Sequence, residues 1–493
     1  MLPVLFEVLA LAGGLIAPLA FSPFDWPYLA LVSLALLFIS WLAATPAQAA
    51  ARGYLFGLGQ FGFGVSWVYL SMHDFGGASV AEASLLTLLF VLFLALYPAV
   101  AGWLAVRLSP ARLGRSRVSV YAAVWVLMEW FRGWFLSGFP WLQFGSSQTD
   151  TPLGNGIAPV AGVFGVGLAV AVLAALAILL IDRRHWRRRG ALVGMASIFV
   201  VGAWSERVDW TQAAGEPFKV ALLQGNIAQD QKWVPAFQRA TLENYIAQTR
   251  EHWDARLVIW PETAVPAFFH QVKDTWLKEL KAEAATHGTD LLIGMPVLNP
   301  ESGQYYNALV GLSRGDMYFK RHLVPFGEFL PLRPVLGFVL EWLQIPLADF
   351  SRGAEDQPLL TAAGHPLVAS VCYEDIFGHE SRAGLPEATY LVNVTNDAWF
   401  GTSIAPYQHV QMARMRALES GRYLLRATNT GVTAVIGPNG TIVAQAPLFE
   451  RTAVSAEIQP RQGATPYVHY GDWPVVSLLL VFLLAIQGLR RIP

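Results

Sequence analysis

The sequence predicts two parts: an α-helical membrane bundle of about eight transmembrane helices, and an extramembrane α/β domain inserted before the last helix. Three observations predict it. Seven apolar runs of spanning length fill the first 210 residues and an eighth closes the chain; strand-like and helical runs mix in between; and charge is unevenly divided. Of 493 residues 54% are hydrophobic and only 14% charged, whereas a soluble domain carries about 25% charge. Residues 1–210 contain 12 Arg, no Lys and 9 acidic residues; residues 211–470 contain 20 basic and 25 acidic residues, including every Lys. This division excludes a single soluble domain and a disordered chain. A net charge of −1 without a basic stripe excludes a nucleic-acid binder. The single cysteine, Cys372, rules out an intramolecular disulfide.

A helix needs about 20 mostly apolar residues to cross the hydrocarbon core. The candidate spans are 3–21, 27–44, 54–71, 84–106, 118–136, 157–181, a shorter one at 191–204, and 474–489. The first has no Lys or Arg ahead of its apolar core and no clear small-x-small cleavage site, so it reads as a retained helix, not a signal peptide. Short cytoplasmic loops collect positive charge. Arg52 falls between spans two and three, Arg107, Arg112, Arg115 and Arg117 between four and five, Arg183, Arg184, Arg187, Arg188 and Arg189 between six and seven, and Arg490 and Arg491 after the last. The alternate connections have only Arg132. Both termini are therefore expected in the cytoplasm and the inserted domain outside. Glu129 and Arg132, three apart on one helix face, are read as a structural ion pair near the outer membrane face, or as a polar contact beneath a lipid head group.

From Phe218 onward the pattern changes. Buried-strand candidates are 218–226, 256–260, 290–295, 308–312, 366–371 and 388–394, with helices at 276–285 and 408–426. Strands mixed with helices over about 240 residues suggest one α/β domain. The expected organisation is a seven-span transmembrane domain at 1–210, a periplasmic domain at 215–465, and an eighth helix with a short cytoplasmic tail at 472–493. Asn393-Val-Thr395 fits the N-glycosylation pattern but abuts a buried-looking strand.

Three polar residues stand where apolar runs end. Glu262 follows Leu-Val-Ile-Trp-Pro, Lys320 follows Tyr318 and Phe319, and Cys372 follows Leu-Val-Ala-Ser-Val. A thiol is nucleophilic as thiolate and needs a base or cation to lower its pKa from about 8.5. A carboxylate can take the proton, and a lysine can hold a thiolate and an oxyanion. Singly, each residue is equally compatible with inert packing or solvated surface.

Together, Trp260-Pro-Glu-Thr, Phe319-Lys-Arg-His-Leu-Val-Pro-Phe-Gly-Glu-Phe and Val371-Cys-Tyr-Glu-Asp resemble the three signature segments of the nitrilase superfamily, in its order Glu, Lys, Cys. The resemblance covers roughly residues 218–460. It implies a nitrilase-like α-β-β-α sandwich and a Glu262–Lys320–Cys372 triad that forms an acyl thioester. With the spans added, the whole chain resembles the apolipoprotein N-acyltransferase family of the bacterial inner membrane. Gln224-Gly-Asn-Ile and Asn393-Val-Thr-Asn-Asp-Ala-Trp-Phe also resemble that family's segments.

That resemblance implies a phospholipid acyl donor and a diacylglyceryl apolipoprotein acceptor. Glu328 is implied as a second carboxylate beside the triad, orienting Lys320 or the amine. Tyr373 and Glu374 are expected to shape the turn after the nucleophile and contact substrate. Trp233, in Gln231-Lys-Trp-Val-Pro, matches a family position near the entrance. The apolar, proline-containing stretch 329–350 is expected to form an interfacial arm or lid, with Phe338 and Trp342 dipping into the outer leaflet. No metal site and no cofactor are expected: the ten His are scattered and no Gly-rich phosphate loop is present. Two other readings stay open: a membrane-anchored amidase or nitrilase that hydrolyses its substrate, and a non-enzymatic transporter with an external binding domain.

Overall fold

The computed structural model describes residues 2–110, 116–182, 184–331 and 349–490. The chain forms two compact units. Met1–Tyr69, Ser79–Val208 and His469–Pro493 make one; Leu70–Ala78 and Asp209–Val468 make the other.

The first unit is helical, with a helix at each expected run: Leu2–Ile16, Tyr28–Trp41, Pro46–Gly64, Val80–Leu108, Val118–Arg132, Pro152–Leu180, His185–Ser205 and Trp473–Arg490. Among the described residues Val80–Leu108 and Pro152–Leu180 are long and apolar enough to cross a membrane, while Val4–Ala20, Tyr28–Trp41 and Trp473–Gly488 are shorter apolar helices. Small residues let these helices approach closely. A Cβ on Gly53 would lie 2.1 Å from the Pro98 carbonyl oxygen, and one on Gly102 2.3 Å from that of Ala49. Two expectations need correction. The third helix starts earlier, because Thr45 forms a capping box with Gln48, and it stops at Gly64. Arg52 therefore lies inside that helix, buried, donating to the Ser40 carbonyl at 2.5 Å. The fifth helix ends at Arg132, not residue 136. Beyond it a largely buried irregular segment runs to Thr151, and Glu129 and Arg132 serve its backbone. Glu129 accepts from the Phe144 N–H at 3.0 Å, and Arg132 donates to the Phe139 and Trp141 carbonyls at 2.5 and 2.6 Å. Irregular backbone among apolar helices needs such partners.

The second unit is built on two six-stranded sheets. The first contains β1 (Phe218–Gln224), β2 (Leu257–Trp260), β3 (Asp290–Leu298), β4 (Tyr305–Gly311) and β5 (Asp316–Phe319); the second contains β6 (Leu360–Ala362), β7 (His365–Val371), β8 (Tyr390–Thr395), β9 (Leu424–Thr428), β10 (Ala434–Ile436) and β11 (Ile442–Gln445). β12 (Thr452–Ile458) returns to the first sheet. The orders are β12-β1-β2-β3-β4-β5 and β11-β10-β9-β8-β7-β6. Strands β1, β2 and β3 run parallel, as do β7, β8 and β9; the flanking pairs are antiparallel. Side chains alternate along each strand. Val220, Leu222, Leu257 and Ile259 of one sheet pack with Leu367, Ala369, Val392 and Leu425 of the other. Ala221, Leu223 and Val258 face away, onto Leu242 and Tyr245 of helix Pro235–Arg250 and Leu277 and Leu280 of helix Trp276–His287. Helix Ala405–Ser420 covers the second sheet through Val410, Ala413 and Ala417. The layers are α-β-β-α.

The expected helix 408–426 is corrected: it ends at Ser420 because Gly421 adopts φ +62°, and the chain continues as strand β9. Asn393 is fully buried and donates to Ser370, so its glycosylation pattern is incidental.

Candidate active site

Parallel strands of two facing sheets deliver their carboxyl ends to one edge, where α/β proteins gather functional groups. Glu262 follows β2, Lys320 follows β5, and Cys372 follows β7. Lys320 is 1% exposed. Its Nζ lies 2.9 Å from Glu328 and 3.9 Å from Glu262 Oε1. Asn307 of β4 donates to Glu262 Oε1 at 2.6 Å and to Glu328 Oε1 at 3.3 Å. Glu328 also accepts from the Val324 N–H at 2.8 Å. Burial would discharge Lys320, but Glu328, Glu262 and the Cys372 side chain together hold it firmly protonated.

Cys372 sits at φ +51°. A non-glycine residue in that region costs about 1–3 kcal/mol and persists only where its surroundings enforce it. Those surroundings are polar and buried. Glu374, fully buried, accepts from the backbone N–H groups of Val371 (2.7 Å), Arg321 (2.6 Å) and His322 (3.0 Å) and from the Tyr318 hydroxyl at 3.0 Å. It thereby ties the turn after β7 to the turn after β5, across the two sheets. Burial and the neighbouring Glu380 push Glu374 up to about 7. On the other side of the turn, His409 sits 2.8 Å from Asp375 and 3.0 Å from Asp397, and Arg426 donates to both carboxylates at 2.6 and 3.1 Å. Asn393 donates to the Cys372 carbonyl at 3.3 Å. Burial pushes the Cys372 thiol up, Glu262 pushes it further, and Lys320 opposes both. The resting group is a thiol beside a carboxylate and an ammonium.

Residues 13–176 match the profile of the apolipoprotein N-acyltransferase N-terminal domain, and residues 219–467 that of carbon-nitrogen hydrolase. The apolipoprotein N-acyltransferase of Methylococcus capsulatus is 59% identical over 96% of this chain and 94% of its own. The chain belongs to the apolipoprotein N-acyltransferase family. Its namesakes from Nitrosomonas europaea and Pseudomonas syringae are 43% and 42% identical, covering 97% and 98% of this chain and 96% and 97% of theirs. The second unit carries the nitrilase-like fold.

Among the other residues that sequence reasoning ties to this family's chemistry, Tyr373 is buried and packs edge-on to Phe377, with ring centroids 5.1 Å apart. Glu374 is enclosed by protein donors, which tie it to the turn after the thiol. Trp233 is 50% exposed on the loop after β1. Phe338 and Trp342 lie outside the described residues. Sequence reasoning missed Asn307 and Lys232. The only signal for Asn307 was a polar side chain inside the apolar run of β4. Lys232 lies beside Trp233 and is buried, its Nζ donating to the Glu262 carbonyl at 3.1 Å. It also missed a cluster in which ligand-type atoms of His322, His379 and Glu380 lie within 4.8 Å of one another. There the Arg321 guanidinium already meets Glu380 at 2.6 Å. Despite burial, both histidines and Arg321 hold Glu380 well below the usual carboxylate range, so the cluster works as an ionic buttress for the turn carrying Lys320.

Proposed function

We propose that this chain N-acylates apolipoproteins during lipoprotein maturation, with Glu262, Lys320 and Cys372 as a catalytic triad. Glu262 takes the thiol proton and Sγ attacks the sn-1 ester carbonyl of a phospholipid. Lys320 and a backbone N–H near Cys372 hold the oxyanion, and Glu262 returns the proton to the leaving lyso-lipid oxygen. In the second half, the α-amino group of an N-terminal diacylglyceryl-cysteine attacks the thioester. Glu262 accepts the amine proton and passes it to the departing thiolate. The thioester divides one difficult aminolysis of an ester into two easier steps. Glu328 orients Lys320. The observation that carries this reading is the buried Lys320 ammonium bracketed by Glu328 and Glu262 at the strand edge that bears the chain's one thiol.

Incubation of the purified protein with radiolabelled phospholipid is expected to yield a hydroxylamine-labile acyl adduct, absent in Cys372→Ser. An unlabelled wild type would defeat the reading. Adding a diacylglyceryl-cysteine peptide then separates transfer from hydrolysis: label moves to the peptide in the first case and appears as free fatty acid in the second.

We further infer that the first unit is an eight-span bundle in the bacterial inner membrane. In this reading residues 1–210 and 472–493 are membrane domains, 215–465 lies on the periplasmic side, and both termini are cytoplasmic. The one-sided arginine placement and the eight helices support it.

A further inference from the structure

Between exposed Gln231 and exposed Trp233, the side chain of Lys232 turns inward. Its ammonium donates to one neutral carbonyl, that of Glu262. Burying an ammonium against a single carbonyl is unfavourable unless nearby anions compensate. The charged groups around the thiol come from every strand end at this edge. Behind it, Asp375 and Asp397 are matched by Arg426 and His409. In front, Lys320 is the only cation in salt-bridge range of Glu262 and Glu328 among the described residues. That leaves one surplus negative charge beside a thiol that has to ionise. Lys232 brings the front set to neutrality.

We propose that Lys232 is a positioning residue of the active site: it anchors the Glu262 carbonyl and supplies the second cation that lets Cys372 ionise beside two carboxylates. The inference rests on the Glu262–Lys320–Cys372 reading. Transfer of the thiol proton to Glu262 breaks an S–H bond and forms an O–H bond, and leaves the net charge of the pocket unchanged. The anchor is also geometric. Thr263, next in the chain, has φ +48°, so the backbone turns sharply at Glu262, and a small rotation there would carry the carboxylate away from Lys320. Burial pulls Lys232 down to about 8, against the upward pull of Glu262 and Cys372. It therefore gives up its proton more readily than an ordinary lysine.

The test is the rate of Cys372 alkylation by iodoacetamide between about pH 6 and 10 in the full-length protein, for wild type, Lys232→Met and Lys232→Arg, with melting temperatures alongside. Lys232→Met is expected to alkylate at least about tenfold more slowly at neutral pH, with its profile displaced to higher pH, while Lys232→Arg stays within about threefold. In acyl transfer kcat falls about 30-fold in the Met variant and KM stays within about twofold. A folded Lys232→Met with an unchanged alkylation profile overturns the proposal. If that variant does not fold, the comparison of wild type with Lys232→Arg decides: the wild-type profile has an inflection near pH 8 that arginine moves upward, and an identical profile overturns it. A wild type that forms no acyl adduct, but whose alkylation responds to Lys232→Met as stated, would count against the triad and not against Lys232.

Discussion

Glu374 illustrates how one buried side chain holds two turns of the candidate site together. Its carboxylate receives three backbone N–H groups and a tyrosine hydroxyl, drawn from the turns that bear Lys320 and Cys372. Truncation would leave those donors buried and unpartnered, at about 1–3 kcal/mol each before relaxation. We expect Glu374→Ala to lose about 3 kcal/mol or more of stability by denaturant unfolding. Its Cys372 should also alkylate more slowly, since φ +51° is no longer enforced. Unaltered stability would show that the bonds are dispensable. Residues of this kind were half legible in the sequence. Glu262, Lys320, Cys372 and Glu374 stand in contiguous segments where an apolar run meets a turn, and those segments carry the family resemblance that exposes them. Asn307 and Lys232 do not. Their chemistry arises when β4 and the loop after β1 meet the end of β2, residues 45 and 30 positions apart respectively in the chain.

Among elements, the helix Ala405–Ser420 shows where periodicity succeeds and where it stops. Its apolar face, Val410, Ala413 and Ala417, was readable. Its end was not, because leucines and an alanine continue past Gly421 into β9 and the apolar pattern does not break. The short strands β6, β10 and β11 were missed for a related reason: three or four residues carry too little alternation to register. The helix's functional load is His409, which it inserts between Asp375 and Asp397 while β9 brings in Arg426. Burial and Arg426 pull the imidazole down, the two carboxylates pull it up, and the net direction is upward. A folded pKa above the unfolded value makes the contribution to stability fully present below the unfolded pKa of about 6.5, and lost as pH rises through the folded one. The unfolding free-energy advantage of wild type over His409→Gln, read by denaturant titration, should therefore be largest near pH 6 and shrink toward pH 9, amounting to about 3 kcal/mol at its maximum. An advantage that grew with pH would mean that the histidine is neutral in the fold.

For the whole molecule, the decisive feature is where the apolar surface lies. In the first unit, Leu85, Leu88, Leu89, Leu96, Val100 and Trp103 are exposed on helix Val80–Leu108, as are Val193, Val200 and Trp204 on His185–Ser205, and Leu478, Val481 and Leu484 on the last helix. Their spacing of mostly three, four or seven residues places them along apolar stripes, which water would not tolerate and a hydrocarbon phase would cover. The sequence revealed this surface better than any other feature, since lipid-facing helices need no polar face and leave long unbroken runs. The strand order of the inserted domain stayed hidden, because β12 joins β1 from more than 220 residues away. Orientation can be tested with the chain's own economy of thiols. Cys372→Ser leaves no cysteine, so single cysteines can be placed at exposed Ala47, beside the second connection, and at exposed Ser302, in the inserted domain. In cells with a permeabilised outer membrane, a membrane-impermeant maleimide should label Ser302→Cys at once and Ala47→Cys only after lysis. Labelling of Ala47→Cys in intact spheroplasts, with Ser302→Cys protected, would invert the topology and put the thiol on the wrong side of the membrane for exported apolipoproteins. The arginine placement opposes that outcome, because the arginine-bearing connections at 107–117 and 183–189 are expected on the same side as Ala47.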